Sequence, residues 1–192
     1  GQEGRSVTMA LCLGIDTSNY TTSVALFDGV SGYNLGRLLD VPEGALGLRQ
    51  SDALFQHIKH LPGRFAELQA EGWLTGLSAV GASTRPRAVE GSYMPCFLAG
   101  MSAARAIASF LKVPLYFFSH QSGHIAAALY SAGRLSYFER PFYAFHVSGG
   151  TTEALLVRPN AAQIFEKELL AQSLDLKAGQ AIDRVGGMLG LP

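Results

Sequence analysis

His120 and His124 stand four residues apart in the segment His120-Gln121-Ser122-Gly123-His124, directly after an apolar strand. On a helix that spacing puts both imidazoles on one face, from which they can converge on a single cation. Two ligands do not close a metal site. A carboxylate, a third imidazole or the substrate itself must complete it, and His146, at the end of another apolar strand beside a glycine turn, is the best candidate in the chain. A capping or structural role is the competing reading, with Ser119 as the N-cap of the helix. A zinc peptidase of the HExxH type needs a Glu between its histidines to deprotonate the metal-bound water. Gln121, Ser122 and Gly123 cannot do that.

Two further turns could carry chemistry. Val147-Ser148-Gly149-Gly150-Thr151 is a small-residue turn whose backbone N–H groups can approach an anionic or acyl ligand closely, although Ser-Gly-Gly also occurs in ordinary hairpins. Asp16 ends an apolar strand and faces Thr17 and Ser18, a place where a carboxylate can hold a magnesium-bound water next to phosphates. A turn-capping aspartate is the alternative there. Asp175, Asp183 and Arg184 belong to SLDLKAGQAIDRVGGMLGLP, which has a helical period and whose simplest reading is a solvated helix face. GxxxxGK[ST], GxGxxG and GxSxG are all absent, so phosphate binding of those kinds is unsupported.

These residues need a scaffold of alternating strands and helices. Leu11 to Asp16 and Ser23 to Phe27 predict a hairpin, with a third strand near Tyr33 to Leu39. Leu54, Phe55, Ile58, Leu61, Phe65 and Leu68 recur on one helical face, which Pro62 should restart or kink. His57 and His60 on that segment read as solvated or core-edge residues. A strand at Ala79 to Thr84, a loop RPRAVEGSYMP, a small-residue helix from Cys96 to Leu111, a strand at Leu115 to Ser119 and a helix from His120 to Ala132 follow. A second hairpin, Phe142 to Val147 with Glu153 to Val157, leads to a helix from Asp175 to Leu189. IDTSNYTTSVAL and HVSGGTTEALL share the pattern strand, polar turn, Thr-Thr, strand, which suggests an internal duplication.

The composition agrees with a folded enzyme. Of 192 residues, 48% are hydrophobic and only 16% charged, which excludes a disordered chain. Fifteen basic side chains balance fifteen acidic ones, so no basic surplus marks a dedicated nucleic-acid binder, while a local basic face stays open. Two cysteines, Cys12 and Cys96, each in an apolar stretch, indicate neither a disulfide framework nor a cysteine zinc site, and a reducing cytoplasm is the simplest compartment. The apolar run from Met9 to Ile15 is too short to span a membrane, and no targeting segment is visible.

In this order the segments resemble the family once called glycoproteases, now the threonylcarbamoyl-transferring subunit (TsaD) that modifies tRNA. LGIDTSNYTTSVAL resembles its first phosphate hairpin, AGMSAARAIASFLKVPL its small-residue helix, SHQSGHIAAAL its metal-binding HxxGH segment, HVSGGTTEALLV its SGG substrate hairpin and SLDLKAGQAIDRVGGMLGLP its DDAxGEAFDKxAKLLGLP helix. The resemblance implies an α/β fold of the actin, hexokinase and heat-shock (ASKHA) type: an RNase H-like mixed sheet with helices on both faces. One full copy would occupy residues 10–136 and the start of a second, truncated copy 137–192. It implies one divalent metal, iron or zinc, on His120 and His124. It implies a threonylcarbamoyl-adenylate site lined by His146, Val147, Ser148, Gly149 and Gly150, with Asp183 at the nucleotide ribose, and Asp16, Thr17 and Ser18 as the phosphate loop. Companion subunits, tRNA, and a homo- or heterodimer are the implied partners, with no membrane.

The chain departs from the family at several points. SGGTT replaces SGGHT or SGGNT, Arg85-Pro86-Arg87 stands where GPG is common, and Leu176 and Gln180 replace the second Asp and the Glu of DDAxGEAFDK. The family also continues beyond the counterpart of Pro192 and there donates a last metal ligand, an Asp, so this stretch alone is expected to be inactive and its acceptor could differ. A noncatalytic partner of the same superfold, which would lack the His pair, and a carbamoyltransferase acting on a small molecule are the alternatives. RNA contact by Arg85 and Arg87 would separate the last from a tRNA enzyme. Peptidase activity lacks its general base.

Overall fold

A computed structural model of the chain describes residues 10–42, 47–72, 76–148 and 150–191. They form two compact units, one up to Gly123 and one from His124. The architecture is mixed α/β, as the sequence predicts.

The first unit is built on a five-stranded sheet. β1 (Leu11–Asp16), β2 (Thr21–Phe27) and β3 (Gly32–Leu38) form an antiparallel meander, while β4 (Leu77–Arg85) and β5 (Leu115–Ser119) add parallel to β1, giving the order β3-β2-β1-β4-β5. Parallel neighbours require crossover connections, and α1 (Gln50–Ala70) and α2 (Phe97–Leu111) supply them. Side chains alternate across a strand. One set, Leu13, Ile15, Val24, Leu26, Val80 and Ala82, therefore packs with Leu61 and Leu68 of α1 and Ala99, Ala104 and Ala108 of α2 in one core.

Two sequence expectations for α1 change. Pro62 does not start a new helix: α1 runs from Gln50 through it to Ala70. Burial of Ala53, His57, His60 and Leu61 before it, and of Leu68 after it, holds both halves on the sheet and offsets a proline cost of roughly 3 kcal/mol. The buried stripe is also rotated from the apolar one read in the sequence. His57 is on the core face, whereas Phe55 and Ile58 are more than half exposed. Ile58, Leu54 and Phe65 instead border an apolar surface groove against Leu98 and Ala103 of α2.

The second unit contains the length of α3 (His120–Ser131) from His124 onward, a 3-10 turn at Leu135–Glu139, an antiparallel sheet of β6 (Phe142–Val147), β7 (Thr152–Asn160) and β8 (Ile164–Gln172), and α4 (Ala178–Met188). Ile125 and Leu129 of α3 pack on Leu155, Val157 and Phe165. Phe165 is fully buried, with the rings of Phe138 and Phe142 at centroid distances of 5.0 and 5.8 Å. Like the first unit, this one has a three-stranded antiparallel meander, in the order β6-β7-β8.

α4 begins later than its sequence pattern predicts, at Ala178. Asp175 lies in the preceding turn, where the Ser173 hydroxyl donates to the Leu176 carbonyl at 2.7 Å and the Lys177 ammonium donates to the Ser173 carbonyl. Both cysteines are free thiols. Among the described residues no helix is long and apolar enough to cross a membrane.

Candidate functional site

The end of β1 gathers the first group of residues. After Asp16 the chain turns through Thr17, Ser18 and Asn19, the last in a left-handed conformation with φ 43° that asparagine tolerates better than most residues. Thr17 points into the core, fully buried. Its hydroxyl donates to the Cys96 carbonyl at 2.9 Å and accepts from the Gly100 amide at 3.0 Å, so it ties the turn to α2. Ser18 turns its amide back onto Asp16 Oδ1 at 2.8 Å.

β5 delivers α3 to the same place. Ser119 acts as the N-cap the sequence predicts: its Oγ accepts the Ser122 amide at 3.2 Å and lies 2.9 Å from the Ser122 hydroxyl. The Gln121 amide donates to the Pro86 carbonyl at 3.0 Å, which fastens the Arg85-Pro86-Arg87 loop to the helix start. Arg85 is exposed and Arg87 half-buried, with the Arg87 amide bonded to the Ser92 hydroxyl.

His120 therefore meets Asp16. Nδ1 of His120 is 2.9 Å from Asp16 Oδ2, and Nε2 is 3.5 Å from Ser18 Oγ. The Phe97 ring stands edge-on to the imidazole at 6.3 Å. Burial alone would raise the Asp16 carboxyl, but the hydrogen bond and charge of His120, with the bonds of Ser18 and Ser83, outweigh it and hold the group well below the usual carboxylate range. The structure brings Asp16, Thr17, Ser18 and His120 together, where the sequence groups only the first three. Ser83 is not legible in the sequence, because nothing local marks a serine in a parallel strand.

A second unforeseen group lies on α1. His57 is fully buried, its Nδ1 2.8 Å from the Thr22 hydroxyl, and His60 Nδ1 is 3.4 Å from the same oxygen. Nε2 of His57 is buried without a hydrogen-bond partner. Desolvation pushes the imidazolium of each histidine down from its ordinary value, opposed at His57 by the Asn19 backbone and the Asp16 charge. The expectation of solvated or core-edge histidines is thus corrected: the spacing of Ala53, His57, His60, Leu61 and Leu68 is a helical stripe of its own, and it is the signal the sequence offers.

The second unit holds the remaining sequence candidates. His124 and His146 lie with ring centroids 6.0 Å apart, and His146 Nδ1 is 3.8 Å from Glu153 Oε2, its cross-strand partner, a carboxylate 5% exposed. Val147, Ser148 and Gly150 are exposed at the hairpin tip, and Gly149 lies outside the described residues. The Ser148 amide donates to the Thr151 carbonyl at 2.7 Å and closes the turn. The start of α4 rests on this hairpin. Thr152 Oγ1 accepts the Ala178 amide at 2.8 Å, and the Ser148 carbonyl accepts the Gly179 amide at 3.2 Å. Asp183 is exposed one turn further on.

Imidazole nitrogens suit iron or zinc, and His120 has the carboxylate partner that metal-bound imidazoles typically take through their other nitrogen. That much of the donor set fits a divalent transition cation. Among the described residues no group of three His, Cys, Asp or Glu side chains is arranged to hold a metal ion.

Residues 55–192 match the family model described as TsaD, tRNA N6-adenosine threonylcarbamoyltransferase. The tRNA N6-adenosine threonylcarbamoyltransferase of Aromatoleum aromaticum is 32% identical over 184 residues, covering 93% of this chain and 50% of that protein. The protein of the same name from Neisseria gonorrhoeae is 33% identical over 186 residues, covering 95% and 49%. The chain thus spans about half the length of the curated relatives it matches. In fold it is similar to a solved structure from Pseudomonas aeruginosa, titled an uncharacterized protein with similarity to peptidase YeaZ, at a TM-score of 0.50 and 17% identity over 84% of this chain and 67% of that one.

Proposed function

The chain belongs to the tRNA N6-adenosine threonylcarbamoyltransferase family, and on that premise we propose that it supplies the histidine-bearing part of a site that transfers a threonylcarbamoyl group from threonylcarbamoyl-AMP to N6 of an adenosine beside the tRNA anticodon. The observation that carries this reading is the seating of His120 against Asp16, which orients an imidazole beside the β1–β2 turn. The exocyclic amine attacks the carbamoyl carbon. A new C–N bond forms, the carbamoyl C–O bond to the adenylate phosphate breaks, AMP leaves with the electron pair, and the amine proton passes to solvent.

His120 and His124, four residues apart in the sequence, would hold one divalent cation, iron or zinc. When bound, it supplies Lewis-acid polarisation of the carbamoyl group. A nucleophile that is an amine rather than a metal-activated water explains why no Glu is needed between the histidines. His146, Val147, Ser148, Gly149 and Gly150 contribute to the threonylcarbamoyl-adenylate site, Asp183 to the ribose, and the exposed Arg85 with Arg87 to tRNA phosphates. Companion subunits and the remaining length found in the relatives complete the enzyme.

The test is formation of the threonylcarbamoyl adduct on tRNA by the full-length protein with its companion subunits. His124→Ala should abolish both the adduct and the bound iron or zinc. An adduct formed at the wild-type rate by that variant would reject the reading. Removing Arg85 and Arg87 together should lower the salt dependence of tRNA binding by about one unit of slope for each phosphate that is no longer neutralised.

A further inference from the structure

We propose that Asp16 is a positioning residue for His120: its carboxylate takes the Nδ1 proton of the imidazole in a hydrogen bond and so makes Nε2 the nitrogen that carries the lone pair. This rests on the reading of His120 as a metal ligand, and it gives Asp16 a task other than the phosphate contact expected from sequence.

The geometry leaves the neutral imidazole one workable tautomer. Nδ1 lies 2.9 Å from Asp16 Oδ2. With the proton on Nε2, the bare Nδ1 lone pair would face a carboxylate oxygen at that distance, two acceptors with no hydrogen between them. With the proton on Nδ1, the contact is a charge-assisted hydrogen bond. Nε2 then has a lone pair, and Ser18 Oγ, 3.5 Å away, belongs to a hydroxyl that can turn its own proton toward it.

The carboxylate itself is held at both oxygens. Oδ1 accepts the Ser18 amide at 2.8 Å, and Oδ2 takes His120. A carboxylate has about four lone-pair sites, and each oxygen is already engaged within the protein. It stands at the end of β1 and is bonded to the turn that leads into β2, both strands of the same five-stranded sheet. That rigidity is what an orienting partner of a metal-binding imidazole requires, and loss of such partners typically costs about 10- to 100-fold in metal affinity.

The experiment uses the full chain, selectively labelled with 15N-histidine. In the metal-free wild-type protein at pH 8, long-range 15N–1H correlation should show His120 as the Nδ1–H tautomer, and Asp16→Asn should move it toward a mixture. Equilibrium zinc titration of the same proteins should give an affinity about 10- to 100-fold weaker for Asp16→Asn, with recovery in part by Asp16→Glu. An Nε2–H tautomer, or a charged ring at pH 8, in the wild-type protein overturns the proposal and needs no folded variant. So does an unchanged tautomer with unchanged zinc affinity in Asp16→Asn. If His120→Ala binds zinc as tightly as wild type, the metal reading of His120 fails, while the tautomer result still decides whether Asp16 sets the ring.

Discussion

The Gly100 amide of α2 donates to the hydroxyl of Thr17 at 3.0 Å, and that same hydroxyl donates to the Cys96 carbonyl at 2.9 Å. A fully buried side chain at the mouth of the candidate site thereby joins the β1 turn to the helix beside it. Thr17→Val keeps the shape and removes both bonds, leaving buried polar groups without their partner. It should cost about 1–3 kcal/mol, read from urea unfolding, whereas Thr17→Ser should lose less.

The paired histidines of α1 make stability depend on pH. Both have folded-state values below the ordinary imidazole value, so the unfolded chain binds protons more readily than the folded one. Their contribution is complete above the unfolded value of about 6.5 and is lost as pH falls through the lower folded values. Around His57 stand the Thr22 hydroxyl, His60, the Asn19 backbone and Asp16, and around His60 stand Arg37, Asp40, Lys59 and Arg64. The urea midpoint should drop between pH 7.5 and pH 5.5, and His57→Gln should flatten that drop. An equal drop in the variant would show that other groups cause it.

These two groups mark the limit of what the sequence discloses. The β1–β2 hairpin, the His120 to His124 helix and the SGG hairpin are legible because each is written locally, in alternation, spacing and turn residues. The contact of His120 with Asp16 is not, because the two are brought together only when β5 pairs parallel to β4 and β4 to β1. His57 is hard to read for a related reason. The apolar residues Phe55 and Ile58 outweigh a histidine in any periodic count, although the sheet buries the histidine and leaves them half in water. Ser83 carries no local signal, and the Thr-Thr pair that contains Thr152 marks a hairpin but not the bond to Ala178, since that partner lies on another element.

Thr152 has a distinct structural duty in the second unit. The N-cap residue of α4, Lys177, makes no side-chain cap bond to the helix amides, and Thr152 Oγ1 accepts the Ala178 amide in its place. Loss of a capping oxygen typically costs about 0.5–2 kcal/mol. Thr152→Val should therefore fray the first turn of α4, seen as faster hydrogen exchange at Ala178 and Gly179, while Thr152→Ser should protect both amides as in the wild type. Unchanged exchange in the valine variant would mean the helix start is held by the Ser148 carbonyl alone.

Two glycines in helices should respond to alanine in opposite directions. In an unobstructed helix interior, Gly→Ala gains roughly 1 kcal/mol of propensity. A Cβ on Gly63 of α1 would meet nothing within 4 Å, so Gly63→Ala should stabilise by about that amount. A Cβ on Gly100 of α2 would stand 2.9 Å from Thr17 Oγ1 and 3.1 Å from Ile15 Cγ2, both buried. Neither neighbour is a flexible chain end, since Thr17 is held by two hydrogen bonds and Ile15 lies in the core. Overpacking of this kind costs about 1–3 kcal/mol, enough to exceed the propensity gain. Gly100→Ala should therefore lower the urea midpoint that Gly63→Ala raises. If both variants were stabilised, β1 and α2 would not be in the close contact that seats Asp16 and Thr17.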